Sequence, residues 1–93
     1  MATHNAGKKK VVFSCKANPG DEVFIAGSFN DWEPAAIPLV DEKGDGNFQK
    51  TLFLPKGRHE YKFVINGVWS LDTSCPEWTS NGMGSLNSVI DVQ

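Results

Sequence analysis

Two tryptophans stand where a tryptophan is hard to hide. Trp32 follows Asn30 and Asp31 and precedes Glu33 and Pro34, and Trp69 lies just beyond Asn66 and Gly67. Asn, Asp, Gly and Pro form turns, and turns run over the surface because a buried one would strand its backbone polar groups. A large apolar ring in that setting either caps an end of the core or offers its flat face to a ligand. The ligand chemistry that suits an exposed indole is a pyranose ring. Its C–H patches pack on the aromatic face, with a gain of about 1 kcal/mol beyond simple area burial. Sugar hydroxyls then require donors and acceptors, which Lys, Asn, Ser and Thr supply. From the residues alone both readings stay open. Two such tryptophans with Asn and Lys close by in sequence favour the sugar platform.

Other chemistries find no constellation. Glycoside hydrolysis needs two carboxylates held across a cleft. Nearly all of the 11 Asp and Glu residues fall in turns or on exposed strand faces. His4 and His59 have no partner pattern, and neither a Ser-His-Asp arrangement, a zinc spacing nor a phosphate-cradling glycine loop is present. Cys15 and Cys75 share no CxxC or paired spacing and read as reduced thiols of an intracellular protein. No enzyme activity, no metal and no cofactor is expected.

The elements that must position the tryptophans are strands. Val11–Cys15, Val23–Gly27, 48–54, 60–65, Val68–Ser70 and 88–92 are rich in β-formers and separated by turn residues. The segment Ile37-Pro38-Leu39 reads as a short edge strand, where Pro is tolerated. Alternation is cleanest at 60–65. Tyr61, Phe63 and Ile65 take one face, and Glu60, Lys62 and Val64 take the other. Asn66-Gly67 is the strongest hairpin signal in the chain. Residues 72–84 read as one long loop. No window carries a helical stripe, so the expected fold class is all-β, an immunoglobulin-like antiparallel sandwich.

At 93 residues the chain fits one hydrophobic core. Residues 1–9 are expected to be a flexible N-terminal segment, with Lys8-Lys9-Lys10 as a solubilising end, and residues 10–93 to form the module. The net charge of −2 gives no general field for nucleic acid or an anionic membrane, so neither is expected as a partner. No apolar run approaches the roughly 20 residues of a membrane helix, and the N-terminus lacks a secretory pattern. The expected compartment is the cytoplasm, with the nucleus or the plastid as further settings.

Three segments in order then carry a family resemblance. Phe24-Ile25-Ala26-Gly27-Ser28-Phe29-Asn30-Asp31-Trp32 resembles the V-x-G-S-F-N-x-W segment of family 48 carbohydrate-binding modules. Leu54-Pro55-Lys56-Gly57-Arg58-His59-Glu60-Tyr61-Lys62-Phe63 resembles the family's L-P-x-G-x-x-x-Y-K-F, and Val64-Ile65-Asn66-Gly67-Val68-Trp69 its V-D-G-x-W. Within that family the chain resembles the glycogen-binding modules of AMP-activated protein kinase beta subunits and their plant and fungal counterparts. The resemblance implies that Trp32 and Trp69 stack on glucose units and that Lys62 contacts the sugar. It also places Met83, Ser85 and Asn87 in the family's last sugar-binding loop, where a leucine, a threonine and an asparagine are usual. That loop is one residue longer here, with Gly82 the extra residue.

The implied function is non-catalytic binding of α-1,4-linked glucan, targeting an attached or associated protein to it. The expected partners are α-glucan (glycogen, starch, maltooligosaccharides, cyclodextrin) and kinase or glucan-metabolising enzyme subunits. A scaffold module that has lost sugar binding is the alternative. Trp78 departs from the family's usual aliphatic residue and is expected to plug the long loop against the sandwich, the other reading being a third sugar platform.

Overall fold

A computed structural model of the chain describes residues 7–82 and 84–93. It is all-β, with seven strands in chain order: β1 (Lys8–Lys16), β2 (Val23–Gly27), β3 (Asn47–Pro55), β4 (Gly57–Ile65), β5 (Val68–Ser70), β6 (Trp78–Ser80) and β7 (Leu86–Val92). They form two antiparallel sheets packed as a sandwich. One sheet is the β1–β3 pair, and the other has the order β2-β4-β7-β6 with β5 paired to β4. None of the described residues forms a helix long and apolar enough to cross a membrane.

The core lies where the inward faces meet. Phe13 of β1, Phe48 and Leu54 of β3, Val23 and Ile25 of β2, and Tyr61 and Phe63 of β4 are buried together with Leu39 and Val92. Phe13 meets the edge of Tyr61 at 4.9 Å between ring centroids, and Tyr61 meets Phe63 at 5.7 Å. Edge-to-face pairs of this kind are favoured by the ring quadrupole over flat sandwiches.

Three elements differ from the sequence reading. Strand β1 begins at Lys8, so Lys8 and Lys9 belong to a strand and not to the flexible segment 1–9; residues 1–6 lie outside the described residues. Lysines along a strand edge discourage pairing with another chain. The segment Ile37-Pro38-Leu39 pairs with the edge of β2 through an isolated antiparallel bridge and not as a full strand. Ile37 O and Leu39 N bond to Ile25 and Val23 of β2, and Val40 then bridges to Gln49 of β3, so this piece ties the two sheets together. The stretch 72–84 contains β6, three residues long and paired to β7.

The start of that stretch is held from inside. Tyr61 donates its hydroxyl to Asp72 Oδ2 at 2.6 Å, and Asp72 N donates to Ser88 Oγ at 3.1 Å. Ser88 is fully buried. Cys15 and Cys75 are free thiols, and Cys75 Sγ donates toward the carbonyls of Glu77 and Val89. Burial, with the charge of Asp72 adding to it, pushes the Cys15 thiol up.

Burial first, and then the hydrogen bond to Asp72, holds the Tyr61 hydroxyl protonated far above the usual phenol range. A folded-state value raised in this way gives stabilisation that is complete below the unfolded tyrosine value of about 10 and is lost as pH climbs past it. Thermal melts across alkaline pH should therefore show stability falling above about pH 10. Because Tyr61 is the chain's single tyrosine, phenolate absorbance should appear together with unfolding and not before it. A Tyr61→Phe variant, about 1–2 kcal/mol less stable at neutral pH, should show a shallower alkaline decline.

Candidate functional site

The turn that carries Trp32 is built around one residue. Gly27 ends β2, and its carbonyl accepts from Asn30 N at 3.1 Å and from Trp32 N at 3.0 Å. Its N–H donates to Asn30 Oδ1 at 2.9 Å, and Asn30 Nδ2 donates on to Glu33 O. These bonds hold Asp31 and Trp32 at φ of 56° and 59°, a left-handed region that costs a non-glycine residue on the order of 1–3 kcal/mol. Position 27 has no room for a side chain. A Cβ there would lie 2.4 Å from Glu60 O and 2.7 Å from the Phe29 ring.

Trp69 arrives by a different route. The β4–β5 hairpin turns at Asn66 (φ 51°) and Gly67 (φ 82°), two positive values that match the right-handed twist of the strands. Asn66 is fixed further by accepting from Glu22 N and donating to Asp21. The register pairs Trp69 with Val64, so Trp69 shares the outer face of the sheet with Lys62. Trp32 is half-buried and Trp69 is 44% exposed. Their ring centroids lie 6.5 Å apart with the planes inclined at 50°.

The two indoles line an open groove of about 620 Å³ together with Lys62, Asn87 and Glu60. Lys62 is 9% exposed, and its Nζ donates to Ser85 Oγ at 2.7 Å. Asn87 is buried, and its Nδ2 donates to Glu60 Oε1 at 3.0 Å. Ser85 is positioned by Asn81, which donates its N–H to Ser85 O and accepts from Ser85 N through Oδ1. Among the described residues no buried side-chain nitrogen or oxygen lacks a partner.

Of the residues singled out in the sequence, Trp32, Trp69, Lys62 and Asn87 line this groove, and Ser85 joins it through Lys62. Met83 lies outside the described residues. Trp78 does not plug the loop. It is 58% exposed on β6, opposite Ser88, which puts it on the side of the sheet away from Thr79, Asn87 and the groove. Glu60, Ser80 and Asn81 also line the groove and were not anticipated. The strand alternation around Lys62 already placed Glu60 on its face. Ser80 and Asn81 depend on β6, whose pairing with β7 no local pattern announces.

A family model described as the glycogen recognition site of AMP-activated protein kinase matches residues 10–93. The chain is 46% identical over 74 residues to the 5'-AMP-activated protein kinase subunit beta-2 of Mus musculus and to that of Homo sapiens. The aligned stretch covers 80% of this chain and 26% of each of those subunits. It is 42% identical to the subunit beta-1 of Sus scrofa over 74 residues, 57% of that sequence. The chain thus spans about a quarter of the length of the beta-2 subunits it matches.

Because Glu60 O and the Phe29 ring close off position 27, Gly27→Ala should destabilise the fold by about 1–3 kcal/mol through overpacking, read as a lower midpoint in urea unfolding.

Proposed function

Since the chain belongs to the family of the glycogen recognition site of AMP-activated protein kinase, we propose that its groove holds α-1,4-linked glucan, such as glycogen or starch, by stacking on Trp32 and Trp69. The observation that carries this reading is the relation of the two indoles, 6.5 Å apart and inclined at 50°. A flat, ribbon-like polysaccharide presents coplanar sugar faces and suits coplanar platforms. An α-1,4-linked chain coils, so successive glucose units turn their faces, and a pair of tilted platforms follows that curvature.

Polar groups set for hydroxyls flank the platforms. Lys62 Nζ, already bound to Ser85, has further N–H groups to donate, and Asn87 keeps its amide oxygen and its second N–H beyond the bond to Glu60. The groove is lined by a single carboxylate among the described residues, Glu60, whereas glycosidic cleavage requires two. The reading proposed is accordingly one of binding without cleavage. The role of the module is to bring an attached or associated protein, such as a kinase subunit or a glucan-metabolising enzyme, to the glucan surface.

Titration with maltoheptaose or β-cyclodextrin, followed by tryptophan fluorescence, should show saturable binding at micromolar to millimolar sugar. Trp32→Ala and Trp69→Ala should each lower affinity at least tenfold, about 1.4 kcal/mol, with circular dichroism unchanged. Absence of any change at millimolar sugar in the parent chain would remove the glucan reading and leave the scaffold alternative. Loss of folding in the variants would assign the indoles to the core.

A further inference from the structure

We infer that Glu60 is a specificity-determining residue of the groove, its free carboxylate oxygen accepting a sugar hydroxyl while Lys62 donates to the neighbouring one. The inference rests on the glucan reading above and names a contact within that site.

Glu60 and Lys62 are two residues apart on β4, so the pleat sends both side chains to the outer face of the sheet. Both line the same groove as Trp32 and Trp69. They do not neutralise each other. The one ion pair among the described residues joins Glu60 to Arg58, and there Arg58 Nε stands 4.0 Å from Glu60 Oε2, beyond hydrogen-bond range. Lys62 is drawn the other way, to Ser85 Oγ. A charged acceptor and a charged donor thus stand side by side with a gap between them.

The two carboxylate oxygens of Glu60 have different tasks. Oε1 accepts from Asn87 Nδ2, which fixes the plane of the carboxylate. Oε2 has no closer partner than Arg58, and the side chain is 35% exposed. A carboxylate oxygen fixed in orientation and open to a groove is a strong acceptor for a hydroxyl, since bonds to ionised groups are shorter and roughly twice as strong as neutral ones. Neighbouring equatorial hydroxyls of a glucose unit match this arrangement, one donating to Oε2 and the next accepting from Lys62 Nζ. A sugar lacking one of the two, or carrying it in the axial position, leaves a buried or half-buried charge unpaired, which is where polar sites gain their discrimination.

The experiment compares the parent chain with Glu60→Gln by isothermal titration with maltoheptaose, alongside a crystal structure of the parent chain with the same sugar. Gln keeps the size of the side chain and a neutral acceptor. Affinity should fall about three- to tenfold with the melting temperature little changed, and the complex should place a glucose hydroxyl within about 3.2 Å of Glu60 Oε2. Unchanged affinity in Glu60→Gln overturns the inference. So does a complex in which Oε2 meets no sugar hydroxyl, because the loss would then come from a displaced Asn87. If Glu60→Gln fails to fold, the complex alone decides between the two. A parent chain that binds no maltoheptaose fails the glucan reading itself, an outcome distinct from either of these.

Discussion

Strand β4 runs through the middle of the larger sheet, and its pleat divides the labour of the molecule. Tyr61, Phe63 and Ile65 turn inward to the core or its margin, while Glu60 and Lys62 turn outward to the groove. The same backbone is bonded to β2 on one edge and to β7 and β5 on the other. A one-residue slip of β4 would exchange the two faces, placing Lys62 in the core and Tyr61 in the groove. Register is therefore fixed by the cost of burying Lys62 without a partner and exposing Tyr61 and Phe63. The groove inherits its geometry from that constraint. Trp69 is aligned by pairing with Val64, and Asn87 comes to Glu60 because β7 pairs with the same strand.

The side of the sheet away from the groove is tied down with comparable care. Tyr61, Asp72 and Ser88 connect β4, the chain after β5 and β7 by hydrogen bonds inside the sandwich. The segment that leads to β6 thus departs from a fixed point. Its other end is fixed where Asn81 pinches Ser85, just ahead of β7. Ser85 in turn holds the ammonium of Lys62. A lysine with its stem buried and its head bound in this way has little conformational freedom left to lose.

How much of this was legible in the sequence depends on whether the information is local. The β4 alternation, the Asn66-Gly67 hairpin and the breakers around Trp32 are local, so the sandwich, the turns that carry Trp32 and Trp69 and the orientation of Lys62 could all be read. Glu60 was legible in the same alternation, yet its partner Asn87 lies 27 positions away and the pairing depends on register. Strand β6 is three residues long with no apolar alternation, and only pairing to β7 makes it a strand. Trp78 was misread for that reason. As part of a loop it was expected to pack that loop against the sandwich, whereas its register opposite Ser88 sets it on the edge strand of the larger sheet.

The strained turn at Asp31 and Trp32 deserves its cost only if rigidity at Trp32 matters. A relaxed loop could expose an indole with all residues at negative φ, but the ring would then sample many orientations. Here Gly27 anchors the turn through its carbonyl and its N–H at once, and Glu60 O blocks any substituent at Gly27 while accepting from Ser28 N. The residue that opens toward the groove through its carboxylate therefore also locks the Trp32 turn through its carbonyl. Trp69, held by a tight hairpin, meets Trp32 at a set angle because both turns are referred to β4. The 50° inclination of the rings is therefore set by the sheet and its two turns, before any ligand is present.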